Sequence, residues 1–237
     1  MPNALQTPAY LLGLRSTGLA VARDLGRRKI PVWAATWEPR DAALVSRYLR
    51  PRICPDPLLY PDQLLVFLLE ESRRLGQAPV LFPTSDLALW FIARYGEALA
   101  PHFLLQPVSS ELLLSLLNKW TQYQLASAHD LPVLPTLLAR STADIMPIVR
   151  SVAYPVIVKP CYGFLWRRKY REKVARVSSP EELEARLRQS LSWGLEIIVQ
   201  PVLPGPATSL VSVCVCLGAD GAVLGLVAQR KLRQYPV

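Results

Sequence analysis

The sequence predicts an α/β protein. An open, mostly parallel sheet domain is expected over residues 1–110, followed by an α+β domain with antiparallel strands over 111–237. Three observations predict this. Short apolar runs alternate with helix-period segments through the first half. The texture changes after Pro107, where a long helical stretch replaces the alternation. Near the end, two apolar runs flank Asp220-Gly221, a dipeptide that favours a tight hairpin turn.

The first half reads in order. "AYLLGL", Ala9 to Leu14, is a buried strand; "RSTG" is a turn; "LAVARDLGRRK" has Leu19, Ala22 and Leu25 at helical spacing; and "IPVWAAT" is a second strand. Strand, turn, helix and strand in this order make a βαβ unit with parallel pairing. "YPDQLLVFLLEESRRLG" follows as a helix, with Asp62 near its start and Gly76 after its end. "APVLFPT" is a strand, and "SDLALWFIARYGEAL" is a helix capped by Ser85 or Asp86.

The second half begins with "SSELLLSLLNKWTQYQLASAHD", read as two helices meeting near Asn118. "LPVLPT" is a short extended piece. "YPVIVKP" is a strand that delivers Lys159 into an aromatic and basic loop, Cys161 to Lys173. "SPEELEARLRQSL" is a helix opened by Ser178 or Ser179, with Glu181 and Glu182 in its first turn. "LEIIVQPVLPG" is a strand leaving into a Pro/Gly turn, and the hairpin completes the chain.

With 51% hydrophobic residues in 237, a sizeable core is expected and global disorder is not. The net charge of +9, from 27 Lys and Arg against 18 Asp and Glu, suits an anionic partner: a nucleotide, a phosphorylated metabolite or a nucleic acid. The longest apolar candidate for a membrane span, Leu210 to Ala228, is interrupted by Gly218, Asp220 and Gly221. The N-terminus lacks the basic start and apolar centre of a signal peptide. A cytoplasmic protein without membrane contact is the expectation. Cys54, Cys161, Cys214 and Cys216 form no C-x-x-C pair, and two histidines offer no zinc spacing. Buried free thiols are expected, with Cys214 and Cys216 on one face of a strand.

Several residues have chemistry to offer. "GLRSTG", Gly13 to Gly18, joins a strand to a helix but is not a G-x-G-x-x-G fingerprint. Its glycines either make the turn alone or frame an anion site at a helix N-terminus, with Arg15 and Ser16 as substrate contacts. Asp86, at another strand end, is either a helix cap or a crevice residue. Lys119 is either an exposed helical lysine or a ligand for phosphate. Arg167, Arg168, Lys169, Arg171 and Lys173 lie in the loop after Lys159, with Phe164 and Trp166 nearby. This basic segment, 166–176, could close over nucleotide phosphates, bind nucleic acid by phosphate contacts and stacking, or be a solvated charge run. Gln200 to Gly205 offers a backbone edge beside apolar side chains for a purine, or a simple turn.

Taken in order, "SELLLSLLNKWTQYQLASAHDLPVLPT", "YPVIVKP", the basic loop, "IIVQPVLPG" and "LVSVCVCLGADGAVLGLVAQRKLRQYP" resemble the ATP-grasp superfamily, and most its carboxylate–amine ligases. The resemblance covers residues 9 to 237. It implies a Rossmann-like N-terminal domain and an ATP-grasp domain incomplete at the C-terminus. It also implies ATP and Mg2+ as cofactors. The γ-phosphate would pass to a small carboxylate substrate, and an amine acceptor would attack the acylphosphate. Lys119 and Lys159 match the two lysines that hold ATP phosphates, and Lys173 falls in the matching lid. Gln200, Val202 and Leu203 fall where the hinge meets adenine. Arg230, Lys231 and Arg233 fall where basic residues approach the transferred phosphate or the substrate.

The sequence departs from that pattern in places. Pro201 stands where the hinge often has an acid, and Ala207, Thr208 and Ser209 occupy the stretch that often binds ribose. The magnesium ligands of the superfamily would lie beyond residue 237, so this chain alone is expected to be inactive and to self-associate through an uncovered hairpin. The competing expectations are a nucleotide-binding or regulatory module without turnover and, less favoured, a nucleic-acid-binding protein.

Overall fold

The computed structural model describes residues 7–166 and 174–233. Four parallel strands form the first sheet: β1 (Ala9–Leu12), β2 (Val32–Thr36), β3 (Arg50–Ile53) and β4 (Val80–Pro83), in the order β3-β2-β1-β4. Helices α1 (Arg15–Arg27), α2 (Pro61–Leu75) and α3 (Asp86–Leu99) make the crossovers. β1 is buried along its whole length, which is why it reads as an unbroken apolar run. The strands run outward from β1 to β3, and the chain then returns to place β4 on the other side of β1. That reversal opens a crevice beyond the C-terminal ends of β1 and β4, the usual ligand position in such sheets.

Local chemistry sets the ends of these elements. Ser85 caps α3 by accepting from the Ala88 N–H, so Asp86 is the first helical residue and its carboxylate is not the cap. Gly76 takes φ 69° after α2, a left-handed stop that a Cβ would strain. Helix α1 begins at Arg15, earlier than the glycine spacing suggests, so Ser16 and Gly18 lie inside its first turn.

Strand β3 was not predicted. "RPRI" carries Pro51 and two arginines, which hide it from a hydrophobic reading. Its edge position tolerates the missing proline N–H. Arg52 ties it down by an ion pair of 2.8 Å to Glu71 of α2. Glu71 is only 3% exposed, and it also meets Arg74 at 2.9 Å and the Tyr10 hydroxyl at 3.2 Å. Burial pushes this carboxyl up, yet the arginines and the tyrosine outweigh burial and hold it below the ordinary value.

Two helices, α4 (Ser110–Leu117) and α5 (Lys119–Ala128), follow, and Asn118 ends the first and caps the second. The next sheet contains β5 (Leu137–Ala139), β6 (Val156–Pro160), β7 (Ala175–Val177) and β8 (Ile197–Pro201). It is antiparallel, in the order β5-β8-β6-β7. The extended piece expected at 131–136 becomes a strand only from Leu137. Helices α6 (Ile145–Ser151) and α8 (Pro180–Ser192) supply Ile145, Ile148, Leu183 and Leu187 to one face, against Val156, Val158, Ile197 and Val199. Between β6 and β7, α7 (Gly163–Trp166) is one turn that buries Trp166 in the same core. The core around the first sheet draws on residues 9 to 105, and the core of the second on residues 139 to 199.

The hairpin of β9 (Val211–Leu217) and β10 (Val223–Arg230) forms a sheet of its own, and every residue in both strands is exposed. Cys54 and Cys161 are buried as expected, but Cys214 and Cys216 are exposed. The alternation that placed those two thiols on one face carried no information about whether anything covers that face. Among the described residues no helix is long and apolar enough to cross a membrane.

Candidate functional site

Two places gather the chemistry. The first is on the face of the β5-β8-β6-β7 sheet turned away from its helices. Along β6, Val156, Val158 and Pro160 point into the core, so Ile157 and Lys159 point to the other face. β8 is antiparallel to β6 with Ile157 opposite Gln200 and Lys159 opposite Ile198. Gln200 and Lys159 are therefore diagonal neighbours on one face. The Lys159 ammonium donates to Gln200 Oε1 at 3.0 Å, and Gln200 Nε2 donates to Thr136 Oγ1 at 2.8 Å.

Lys119 approaches from α5. Its backbone N–H donates to the Cys161 carbonyl at 2.9 Å, which ties the helix start to the end of β6. Its ammonium lies where a Cβ on Gly163 would come within 3.3 Å, so glycine there leaves room for the lysine. Burial lowers the pKa of Lys159, and the charge of Lys119 lowers it further. A half-buried ammonium with a second ammonium nearby is stabilised when an anion approaches it. Burial and Glu196 push the neighbouring Cys161 thiol up to about 11, so it is not a nucleophile at neutral pH. The Cys54 thiol is likewise raised to about 12, chiefly by burial.

The second place is a cavity of about 1210 Å³ at the switch point of the parallel sheet. Its lining includes Arg15, Ser16, Thr84, Asp86 and Phe164. Gly13 has φ 88°, and a Cβ there would lie 2.8 Å from Thr84 Oγ1, so the close approach of the two loops requires glycine. Arg15, also at positive φ (54°), donates its backbone N–H to Asp41 Oδ2 at 2.6 Å, and its guanidinium pairs with Glu38. The first N–H of α1 is thus already answered by a carboxylate. Arg15, Arg40, Glu38, Asp56 and Asp86 all line the cavity, which gives it mixed charge. Phe164 from α7 closes one side, packed on Trp90 of α3 with ring centroids 6.0 Å apart.

The expected site residues therefore fall into separate groups. Lys119, Lys159 and Gln200 come together, and Arg15, Ser16 and Asp86 come together elsewhere. The Gln200 side chain is occupied by Lys159 and Thr136, which leaves the main chain at Val202 and Leu203 for any contact at the hinge. Leu203 is exposed. Arg230, Lys231 and Arg233 lie at the end of β10, where the Lys231 N–H donates to the Leu210 carbonyl at 2.9 Å; none of the three lines the cavity. Lys173 and the basic residues from 167 lie outside the described residues. Sequence reasoning missed Thr136, Thr84 and Glu38. Each joins a site through pairings that are distant along the chain and leave no local signal.

No protein-family model matches the chain, and no curated protein matches it by sequence. Solved structures do match its fold. An L-amino acid ligase from Bacillus licheniformis superposes with a TM-score of 0.72 at 15% identity, covering 96% of this chain and 54% of that one. The ADP complex of PurK, an N5-carboxyaminoimidazole ribonucleotide synthetase, also gives 0.72, at 16% identity, covering 100% and 58%. A carboxyaminoimidazole ribonucleotide synthase from Aspergillus clavatus, complexed with ATP, gives 0.64 at 14% identity, covering 94% and 53%. The chain therefore shares the fold of these ligase and synthetase structures and spans a little over half their length.

Proposed function

We propose that the chain is part of an ATP-dependent carboxylate–amine ligase that works through an acylphosphate. The observation that carries the proposal is the pairing of Lys119 with Lys159. Transfer of a phosphoryl group depends mainly on positioning and charge neutralisation, and two adjacent ammonium groups fit a polyphosphate. In this reading Lys119 and Lys159 hold the phosphates of ATP. The main chain at Val202 and Leu203 meets the adenine, Pro201 having no N–H to offer. ATP supplies the phosphoryl group that activates the carboxylate, and the chain's own groups bind and orient it.

The mixed-charge cavity suits the carboxylate substrate, with Arg15 and Ser16 on its acid group and Asp86 on a cationic group. Phe164 borders the cavity from the loop that follows Lys159, and this supports placing substrate and nucleotide next to each other. Arg230, Lys231, Arg233 and Lys173 are proposed to approach the transferred phosphate or close over it. Mg2+ is proposed to act with ATP. Among the described residues no three His, Cys, Asp or Glu side chains gather into a metal-ligand group, so no ligand for it is assigned.

A nucleotide-binding module without turnover rests on the same lysine pair and differs only in chemistry. A thermal-shift series with ATP, ADP and a short single-stranded RNA tests the proposal. ATP and ADP are expected to raise the melting temperature and the RNA to leave it unchanged. Stabilisation by RNA alone would contradict the nucleotide reading.

A further inference from the structure

We infer that Gln200 is a positioning residue that aims Lys159 at an anionic ligand while leaving its charge uncancelled. The inference rests on the reading of Lys159 as a phosphate ligand and deepens it. It comes from the direction of a hydrogen-bond chain. Thr136 Oγ1 lies 2.9 Å from the Leu134 carbonyl oxygen, which can only accept. The one hydroxyl proton therefore goes to Leu134, and the hydroxyl lone pairs face Gln200 Nε2 at 2.8 Å. That fixes the carboxamide, so Oε1 must point the other way, to the Lys159 ammonium at 3.0 Å. A flipped amide would set NH2 against an ammonium, two donors with no acceptor between them. Each link fixes the next, from a backbone carbonyl to the lysine.

The sheet supplies the geometry. Leu137 of β5 pairs with Val199 of β8, so Thr136 falls opposite Gln200, and Gln200 falls opposite Ile157 of β6. The next row along the same face carries Lys159 and Ile198. Among the described residues, the charged groups toward this side of Lys159 include Lys119 of α5, Arg176 of β7 (paired opposite Ile157) and, one row further, Arg140 and Glu196, which pair with each other at 3.1 Å. Glutamate has the shape of glutamine and would hold the ammonium equally well. It would also cancel the charge that a phosphate must meet, and set a carboxylate against the Thr136 lone pairs. A neutral amide orients the lysine and leaves the positive charge of Lys159 for an incoming anion.

The test uses the full chain with four proteins: wild type, Gln200→Glu, Gln200→Ala and Lys159→Met. ADP affinity is measured by calorimetry. Lys159 is titrated by NMR after 13C-methylation of the lysines, its signal assigned by its loss in Lys159→Met. In Gln200→Glu the Lys159 signal should titrate at higher pH than in wild type, and ADP should bind about tenfold more weakly, equivalent to about 1.4 kcal/mol. In Gln200→Ala the upward shift should be absent, and affinity should fall by about threefold as the lysine loses its aim. Wild-type ADP affinity in both Gln200 variants, with Lys159→Met weakened, would overturn the positioning role alone. Unchanged affinity in Lys159→Met would overturn the phosphate reading instead. An unmoved Lys159 titration in Gln200→Glu would show that the clamp does not exist.

Discussion

The two antiparallel sheets of the second half are built from similar apolar strands and end in opposite states. β6 and β8 present Val156, Val158, Ile197 and Val199 to two helices and keep their other face for Lys159 and Gln200. β9 and β10 present Val211, Val213, Val215 and Leu226 to solvent. The hairpin's face is as hydrophobic as the core face of β6, but nothing among the described residues packs over it. An apolar strand thus announces a surface that favours burial and does not announce what buries it. The edge strand β3 makes a third case. It is mostly exposed, yet Arg52 anchors it to Glu71.

The largest effect that would break this comparison comes from placing the same charge in both sheets. Val158→Asp sets an unpaired carboxylate in the core of β6 and should cost upwards of about 4 kcal/mol, enough to prevent folding. Val213→Asp on the hairpin should change stability by about 0.5 kcal/mol or less. Urea unfolding followed by circular dichroism separates the two. Equal losses would mean that the hairpin is covered after all.

Next in size is the anchor of β3. Glu71→Ala leaves the buried Tyr10 hydroxyl without its acceptor and should cost about 1–3 kcal/mol in chemical denaturation. Tyr10→Phe should cost less, because Glu71 keeps both arginines. The pH dependence has a definite sign. Glu71 titrates below its ordinary value of 4.5 in the fold, so its contribution is fully present above that value and is lost as the pH falls through its folded pKa. Glu71→Ala should flatten that acid limb, and an unaltered limb would remove Glu71 from the anchor.

Smaller again is the association of the hairpin. Val215 and Leu226 are directly paired across β9 and β10. The wild-type chain should elute above monomer size and bind a hydrophobic dye. Val215→Lys with Leu226→Glu, an opposite-charge cross-strand pair, should shift it toward monomer with little change in melting temperature. A wild-type chain that is monomeric at high concentration would show that the exposed face recruits no second copy.

Much of the architecture was legible because it is local. The alternation of apolar runs and helical periods marks β1, α1, β2, α2, β4 and α3, and Asp220-Gly221 marks the final hairpin. β3 was hidden by Pro51 and its arginines. β5 and β7, three residues each, are too short to show a period. The start of α1 was misjudged because Arg15 adopts a positive φ that its side chain does not advertise. Lys159 at a strand end was readable as a candidate phosphate contact. The hydrogen-bond chain from Leu134 to Lys159 was not, because it depends on the register of three strands drawn from residues 134 to 200. The exposure of Cys214 and Cys216 was equally invisible, since a period of two assigns a face and not its covering.

The central claim is that Lys119 and Lys159 form an anion site for the phosphates of ATP. Titrating ATP into wild type, Lys119→Met and Lys159→Met, with the melting temperature of each ligand-free protein recorded, tests it most directly. A charge-assisted contact is worth about 1.5–3 kcal/mol, so each variant should bind about tenfold or more weakly. Burial and Lys119 hold the folded Lys159 pKa below 10.5. The protonated lysine therefore costs stability in full below its folded pKa, and that cost fades as the pH climbs to 10.5. The melting-temperature difference between Lys159→Met and wild type should accordingly favour the variant more at neutral pH than near pH 10.5, while ATP binds the variant less well. Wild-type affinity in both variants would contradict the account, and a melting-temperature difference that does not change with pH would contradict its electrostatic basis.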